Sequence, residues 1–291
     1  IRKAYLNNNC HIGLIGQKID LTYKYKHLSN SIDYLNDIIN NQSEFCKVLE
    51  DAKKPLIIIG TSAINFNDGV DVLNVCSLIA KQYQISNEVF NGFNILQQDI
   101  AKVGALDVSF YNNEFDFDFS QTINKFINKN KPVVLLLGLD DIDLSVLSEA
   151  FVVYMGHHGD IVANIADVIL PTPAFPEKSS TFVNMEGRII QSTKCFQPIG
   201  ESKDEWKIFR ALSEKFEKNL LFNNITELRE EITSNLPLFK EINSLPSKSI
   251  LNFGTLLKIK KRDINYNINN FYMTDPISRA SITMANCTKE I

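Results

Sequence analysis

A chain of 291 residues is long enough to build two ordinary domains, or one large domain, around a true hydrophobic core. Its composition, 44% hydrophobic and 22% charged, is typical of a soluble globular protein, and the longest apolar runs (56–59 and 133–139) are too short to span a bilayer. The formal net charge of −4 argues against a nucleic-acid-binding protein, which would need clustered Lys and Arg.

The first third of the chain alternates apolar runs with a helical pattern, which is typical of an α/β fold. The runs HIGLIG (11–16) and PLIIIG (55–60) each predict a short buried strand. Asp68 then stands near the N-cap of an amphipathic helix. The apolar residues of this helix recur at the spacing i, i+3, i+4, i+7 and are Val72, Val75, Cys76 and Ile79.

The same alternation continues through the middle of the chain. Residues 107–111 (DVSFY) predict a strand, and Ser120 is placed to cap a helix whose apolar stripe is Ile123, Phe126 and Ile127. Two fully apolar strands are predicted at 132–138 and 150–156. Val/Ile/Leu runs separated by helices indicate parallel strands covered on both faces, so the predicted fold is a doubly wound, mostly parallel sheet.

Helical patterns dominate beyond residue 200. Ser202 and Glu205 predict a capping box for a helix whose buried stripe is Trp206, Phe209, Leu212 and Phe216. Asn224 and Glu227 predict a second capping box, for a helix with the apolar residues Ile225, Leu228 and Ile232. Residues 258–270 are predicted to be an extended or mobile linker. The resulting domain prediction is a remnant of a preceding α/β domain (1–50), a parallel α/β domain (51–200), a helical segment (201–257), and a linker with a C-terminal docking tail (258–291).

The five cysteines stand at least thirty residues apart. This spacing contains no C-x-x-C pair and does not predict an iron–sulfur or zinc site. An odd number of scattered thiols suits a reducing compartment. Cys76, on the helical stripe, is interpreted as a small core hydrophobe.

A nucleotide site is disfavoured by the glycine pattern. Dinucleotide binding needs G-x-G-x-x-G at the start of a helix, whereas Gly60 is followed by Thr61 and Ser62, and the next glycine is Gly69. Gly138 precedes Asp140 and Asp141, whose carboxylates would repel phosphate. The motif is therefore absent rather than degenerate.

His157, His158 and Asp160 form the most suggestive polar cluster. They follow a predicted parallel strand, at the end of the sheet where open α/β folds bind ligands. Adjacent histidines seldom bind one metal ion, because neighbouring side chains on a strand diverge, and His11 and His27 are distant in sequence. A structural loop is the main interpretation, ligand contact is the alternative, and no metal site is predicted.

A second charged group brackets the short apolar run at 181–183. Glu177 and Lys178 precede it, and Glu186 and Arg188 follow it. Such couples usually form solvated pairs or loop anchors, but Lys178, Asn184 and Arg188 could also line a cleft for an anionic cofactor. Asn184 and Gly187 are predicted to be turn residues with positive φ.

Four segments carry a resemblance to a known family. ADVILPTPAFPEKSSTFVNMEGR (166–188) resembles the signature of molybdopterin oxidoreductases. YMGHHGD (154–160), PLIIIGTSAINFNDGVDVL (55–73) and YMTDPISRASITMANC (272–287) are similar to the later, molybdopterin-oxidoreductase-like part of the large iron–sulfur (75-kDa type) subunits of mitochondrial respiratory complex I, NADH:ubiquinone oxidoreductase. Ser180 departs from the pattern, because the family has glycine before the residue that is Thr181 here.

The resemblance implies a structural role in the peripheral arm of complex I, on the matrix side of the mitochondrial inner membrane. It transfers no catalytic residue and no cofactor to this chain, because that region of complex I is understood to have lost its molybdenum cofactor. Iron–sulfur clusters and FMN are expected in partner subunits, and no direct membrane span is expected. The alternative is a genuine molybdopterin-dependent enzyme, similar to formate dehydrogenase.

The resemblance also bears on how the subunit is built. The first residue is Ile1, and the chain opens in the middle of a predicted domain. We therefore expect a split subunit, whose cluster-bearing N-terminal half is a separate polypeptide; a truncated single chain is the rival. Abundant Asn, Ile, Lys and Phe are typical of an A+T-rich genome, and mitochondrial genomes are one source of such a composition.

Overall fold

The computed structural model describes residues 1–87, 90–97, 100–110, 131–139, 143–246, 258–265 and 270–290. The chain divides into two compact units, each made of two stretches. Unit 1 comprises Ile1–Lys102 and Pro246–Asn267, and unit 2 comprises Val103–Leu245 and Ile268–Ile291. The four domain ranges expected from the sequence stay a prediction.

Unit 1 is an α/β unit with two pairs of strands. Its elements in chain order are α1 (Arg2–Asn8), β1 (Gly13–Ile15), β2 (Lys26–Ser29), α2 (Tyr34–Ile39), α3 (Cys46–Glu50), β3 (Ile57–Gly60), α4 (Thr61–Ile64), α5 (Gly69–Gln82) and β4 (Phe93–Leu96). Strand β1 pairs with β2 and β3 pairs with β4, both in parallel. The strands predicted at 11–16 and 55–60 are thus confirmed.

Helix α5 provides the centre of the unit 1 core. Its predicted stripe is buried: Val72 and Val75 are fully inaccessible, and Cys76 and Ile79 are 3% and 2% exposed. Burying each of the three aliphatic side chains, Val72, Val75 and Ile79, contributes roughly 2 kcal/mol. Burial also raises the pKa of the Cys76 thiol to about 12, which fits a core hydrophobe and not a reactive thiol.

The segment 258–265 belongs to unit 1 although about 160 residues of sequence separate it from β4. Ile259 is 3% exposed, and the side-chain amide of Asn36 bonds both the N–H and the C=O of Ile259. Arg262 holds Asp68 through two hydrogen bonds of 2.9 and 3.2 Å, so the Asp68 carboxylate binds this arginine and does not cap α5. The predicted linker is therefore docked over 258–265; residues 266–269 lie outside the described ranges.

In unit 2 a short helix precedes the strands, and the remaining described helices follow them. Its elements are α6 (Lys102–Asp107, beginning at the unit boundary), β5 (Val133–Leu137), β6 (Phe151–Gly156), β7 (Val168–Pro171), β8 (Thr181–Val183), β9 (Ile189–Gln191), α7 (Glu205–Lys215), α8 (Ile225–Asn235), α9 (Pro276–Ala280) and α10 (Ile282–Lys289). Short 3-10 turns occupy Leu144–Leu147, Ile161–Asn164, Phe175–Glu177 and Pro237–Lys240. Two short helices therefore form within the predicted docking tail.

The parallel sheet β5–β6–β7 is the largest in the described part of the chain, and β8 and β9 form an antiparallel hairpin. The strands predicted at 132–138 and 150–156 are confirmed. Burial in β5 alternates, so Val134 and Leu136 are buried while Val133 is 63% exposed. Among the described residues, the buried face of β5 packs against the unit 2 core.

The strand predicted at 107–111 is corrected by the structure. Residues 107–110 do not form a strand: Asp107 ends helix α6, and Val103 of this helix packs against a core cluster formed by Val183, Ile189 and Phe239. That tertiary contact outweighs the strand preference of the local sequence. The helix predicted after Ser120 lies outside the described residues, as do Asp140 and Asp141.

The predicted start of α7 is also different. Asp204 takes the N-cap position, and the Ser202 hydroxyl bonds Ile199 C=O instead of capping the helix. Phe216 follows the end of the helix and is 72% exposed, so it leaves the predicted stripe, and Ser213 is the buried residue of α7. Asn224 does cap α8, accepting hydrogen bonds from the N–H groups of Thr226 and Glu227.

These elements confirm the α/β class predicted from the sequence. Along the chain, α2 and α3 lie between the pair β1–β2 and the strand β3, and α4 and α5 lie between β3 and β4, as the alternation of apolar runs and helical patterns indicated. Among the described helices, none combines the length and the hydropathy that crossing a bilayer requires.

Candidate functional site

The HHGD loop, residues 157–160, follows β6 at the carboxyl end of the parallel sheet of unit 2. The Nδ1 atoms of His157 and His158 lie 2.6 Å apart, with the rings perpendicular and their centroids 4.8 Å apart. A bond between two Nδ1 atoms needs one protonated and one unprotonated nitrogen, so the two rings share one hydrogen at this contact. Over the described ranges, no three His, Cys, Asp or Glu side chains are grouped to hold a metal ion.

Asp160 ends the HHGD loop and binds Arg279 of helix α9. Arg279 Nη2 lies 2.6 Å and Nε 3.0 Å from the same carboxylate oxygen, and the Asp160 side chain is only 11% exposed. Burial alone would raise the pKa of Asp160, but the hydrogen bonds and charge of Arg279 and the Ile161 N–H together hold it below its ordinary value. The carboxylate is thus kept ionised by the C-terminal segment of the chain.

The local sequence around Arg279 explains how it reaches the loop. Asp275 caps α9 by accepting from the N–H groups of Ile277 and Ser278, and the Ser278 hydroxyl accepts a bond from Asp275 N–H. Pro276 occupies the first turn, where its missing N–H costs nothing. This capping box fixes the first turn of the helix, and Arg279 projects from its last turn onto Asp160.

The Lys178 side chain forms a salt bridge within unit 2. Its ammonium pairs with the carboxylate of Glu205, in the first turn of α7, and both side chains are less than one third exposed. The neighbouring Glu177 accepts a bond from Ala174 N–H at 3.0 Å and closes the turn before β8. Both charged residues of this couple are therefore anchors of the loop.

Asn184 and Arg188 shape the turn of the β8–β9 hairpin. The Asn184 side-chain oxygen accepts from the N–H groups of Glu186 and Arg188, at 2.9 and 3.0 Å. Arg188 pairs with Glu186 at 3.6 Å and also bonds the C=O of Asn243. Gly187 has the predicted positive φ of 79°, whereas Asn184 does not, because it acts through its side chain.

The six candidate residues divide into three local groups. His157, His158 and Asp160 lie on one loop, Lys178 pairs with α7, and Asn184 and Arg188 build the hairpin turn. The most important partner, Arg279, was not among the candidates, although it lies in a segment that the resemblance singled out. Glu205 and Asn243 were missed as well, since contacts between distant polar residues leave no periodic signal in a sequence.

Comparison with known families agrees with this architecture. Residues 1–215 match the family described as molybdopterin oxidoreductase, and residues 247–287 match the family described as the C-terminal part of the G-type subunit of NADH-ubiquinone oxidoreductase. The chain therefore belongs to the molybdopterin oxidoreductase family. Arg279, which holds the HHGD loop, lies within the second match.

Individual relatives show to which kind of subunit the chain is similar. The chain is similar to the NADH-ubiquinone oxidoreductase 75 kDa subunit of Reclinomonas americana, with 38% identity over 99% of this chain and 42% of the relative. It is also similar to the G-type subunits of NADH-quinone oxidoreductase from Rickettsia bellii and Rickettsia felis, with 33% and 32% identity over 96% of this chain in both cases. The chain spans about two fifths of the length of these curated relatives.

The family name implies a molybdopterin cofactor, and the described candidate residues do not fit one. Pterin phosphates need cationic or N–H donors that are free to bind them. The Lys178 ammonium faces Glu205, and the Arg188 guanidinium faces Glu186 and Asn243 C=O. These cations are already neutralised or bonded within the unit, so they offer a pterin phosphate no free donors.

Proposed function

We propose that this chain is a structural component of the peripheral arm of mitochondrial complex I, NADH:ubiquinone oxidoreductase. In this role it supports the iron–sulfur electron path from NADH to ubiquinone and carries no redox centre of its own. The iron–sulfur clusters and FMN belong to partner subunits. The similarity to 75 kDa and G-type subunits over nearly the whole chain supports this role.

The observation that carries the proposal is the Asp160–Arg279 pair. It joins the HHGD loop, within the match to molybdopterin oxidoreductases, to a helix within the second, C-terminal match. The edge of the sheet where α/β proteins bind ligands thus holds the chain's own C-terminal segment. This arrangement favours a scaffold over a catalyst.

Native isolation of the polypeptide, with mass spectrometry and metal analysis of everything that accompanies it, tests the role. We expect recovery in a membrane-bound assembly with NADH:ubiquinone reductase activity. Recovery with stoichiometric molybdenum would instead support the second function, a molybdopterin-dependent oxidoreductase, and overturn the first. Mitochondrial subfractionation tests the proposed location, which is the matrix side of the inner membrane.

A series of variants distinguishes a scaffold role of the chain from a catalytic role. We expect His157→Ala and Arg279→Gln to reduce the amount of assembled complex, while turnover per assembled complex stays unchanged. The exposed Arg2→Gln change is the control. Reduced turnover in complexes that assemble fully would contradict the scaffold role.

The finer part of the proposal concerns the rest of the subunit. The relatives are more than twice as long as this chain, and we propose that the cluster-bearing N-terminal half is a separate polypeptide. Intact-mass measurement of the subunits in the isolated assembly tests this. One continuous subunit that contains this sequence would disprove the split and would leave the scaffold role standing.

A further inference from the structure

Asn91 and Gly92 form the single Asn-Gly sequence of the chain, in the turn that leads from α5 into β4. The structure describes residues 85–87 and 90–93 of this turn. The Asn91 side chain is exposed to solvent, whereas Gly92 is buried. An asparagine that precedes glycine is especially prone to lose its side-chain amide, because glycine has no side chain that would hinder the reacting atoms.

The packing of unit 1 requires glycine at position 92. A Cβ atom at this position would lie 2.5 Å from the carbonyl oxygens of both Ile85 and Pro55. These are backbone atoms, which cannot turn away from a clash as the end of a side chain can. Even alanine would therefore displace the turn or the entrance of β3. The reactive Asn-Gly pair is thus a consequence of close backbone packing.

In the folded turn, both reacting groups are held by hydrogen bonds. Gly92 N–H donates to Ile85 C=O at 2.9 Å. The Asn91 side-chain oxygen accepts from Phe93 N–H at 3.1 Å and from the Ser86 hydroxyl at 3.3 Å. The bond to Ile85 opposes loss of the proton from the Gly92 nitrogen, and the other two bonds fix the Asn91 amide. The fold therefore restrains a reaction that the sequence favours.

We propose that Asn91 is a site of spontaneous deamidation that the folded turn protects, so that the modification marks molecules whose turn has opened. In an opened turn, the Gly92 nitrogen loses its proton to solvent and attacks Cγ of Asn91. A five-membered succinimide ring forms, and the side-chain nitrogen takes up a proton and leaves as ammonia. One water molecule then opens the ring at either carbonyl carbon, which gives aspartate or isoaspartate at position 91.

The two products have different effects on unit 1. Aspartate keeps the backbone unchanged, and its carboxylate can accept the bonds from Phe93 and Ser86. Isoaspartate carries the main chain through its side-chain carbonyl, which adds one methylene group before Gly92. Gly92 then cannot bond both Ile85 C=O and Ile57 N–H, because the tight packing around it leaves no room for the shift. Isoaspartate therefore prevents an opened turn from closing again.

Incubation of the full chain, followed by mass spectrometry of the tryptic peptide 82–102, tests the protection. We expect deamidation at Asn91 to be at least about tenfold slower in the native chain than in the chain unfolded by urea at the same pH and temperature. Equal rates would show that the turn gives no protection and would overturn the proposal. An unfolded chain that formed no product at Asn91 would overturn it as well.

Refolding of the urea-incubated chain distinguishes the two products. After removal of urea, size-exclusion chromatography separates refolded from misfolded chains, and electron-transfer fragmentation tells isoaspartate from aspartate. We expect isoaspartate at position 91 to be at least about tenfold rarer in the refolded chains than in the misfolded ones, and aspartate to be equally frequent in both. Isoaspartate that was equally frequent in both fractions would show that the modified turn still closes.

Asn91→Asp and Asn91→Gln form a matched pair of variants. We expect Asn91→Asp to refold like the wild type, because its carboxylate replaces the amide oxygen as an acceptor. We expect Asn91→Gln to accumulate no product at position 91, because its longer side chain would have to close a six-membered ring. An Asn91→Asp chain that failed to refold would assign the damage to the new charge and would overturn the role of isoaspartate.

Discussion

Single residues determine how the HHGD loop and the C-terminal segment are held. Asp160 and Arg279 are separated by 119 positions, yet Arg279 Nη2 lies 2.6 Å from the Asp160 carboxylate. The pair is largely withdrawn from solvent, with side-chain exposures of 11% and 27%. Removing one partner leaves a poorly hydrated charge behind, so the loss exceeds that of a surface ion pair.

We predict that Arg279→Gln lowers the free energy of unfolding of unit 2 by about 2 kcal/mol, and Arg279→Lys by about half as much. Lysine keeps the charge but lacks the planar guanidinium through which Nε and Nη2 of Arg279 both donate to one Asp160 oxygen. Urea unfolding followed by the fluorescence of Trp206, the single tryptophan, measures this in unit 2. An Arg279→Gln variant as stable as the wild type would contradict the prediction.

The same pair predicts a dependence on pH. The pKa of Asp160 is lowered in the folded protein, and the unfolded value is about 3.9. The stabilisation is therefore complete above about pH 5 and is lost as the pH falls through the lower, folded value. Arg279 stays protonated throughout this range.

Urea midpoints of the wild type and of Asp160→Asn, measured from about pH 7 down to about pH 2.5, test this dependence. We expect a constant difference between the two proteins above about pH 5 that shrinks below about pH 4. Asp275 also has a lowered pKa, but it is present in both proteins and cancels in the comparison. A difference that persisted undiminished at the acid end of this range would exclude ionised Asp160 as its cause.

Among the secondary-structure elements, the starts of α7 and α8 differ in whether the predicted side chain caps the helix. Asn224 bonds two N–H groups of α8, whereas Ser202 only bonds a nearby C=O before α7. We predict that Asn224→Ala destabilises unit 2 by about 1 kcal/mol, and that Ser202→Ala changes its stability by less than about 0.5 kcal/mol. Trp206 fluorescence in urea compares the two, and equal losses would contradict the assignment.

The docked segment 258–265 is an element without regular structure, and Arg262 holds it. Its guanidinium bonds Asp68 and Ala63 C=O and lies 3.9 Å from the centre of the Phe66 ring. A cation over an aromatic ring adds about 1 kcal/mol to the ion pair. This arginine therefore combines three interactions that keep the segment on unit 1.

Limited trypsinolysis tests this anchoring, because Lys258, Lys260 and Lys261 are exposed in the segment. We predict that Arg262→Gln increases the cleavage rate at these lysines at least tenfold, since local release precedes cleavage. Asp68→Asn should have a similar effect, and the exposed Arg2→Gln change should have none. Unchanged cleavage in both the Arg262 and the Asp68 variant would show that the Arg262–Asp68 pair is not what holds the segment.

Over the whole molecule, the sequence predicts the strands and helices that are determined by residues close together along the chain. Strands β3, β5 and β6 and the buried stripe of α5 follow from local apolar patterns bounded by proline and glycine. The strand expected at 107–111 fails because Val103 packs in a tertiary cluster. Asp160 could be identified as a candidate because it follows a predicted strand. Its partner Arg279 could not, because a pair of charges far apart in the chain leaves no repeating pattern in the sequence.

The discontinuity of unit 1 has a consequence for biosynthesis. Residues of unit 2 separate β4 from the 258–265 segment, whose Ile259 completes the unit 1 core. A ribosome adds about 5–20 residues per second, so the earlier part of unit 1 waits many seconds for its last core residue. During this interval the Asn36 amide lacks Ile259 and the Asp68 carboxylate lacks Arg262, so unit 1 reaches its folded arrangement only after unit 2 residues have been synthesised.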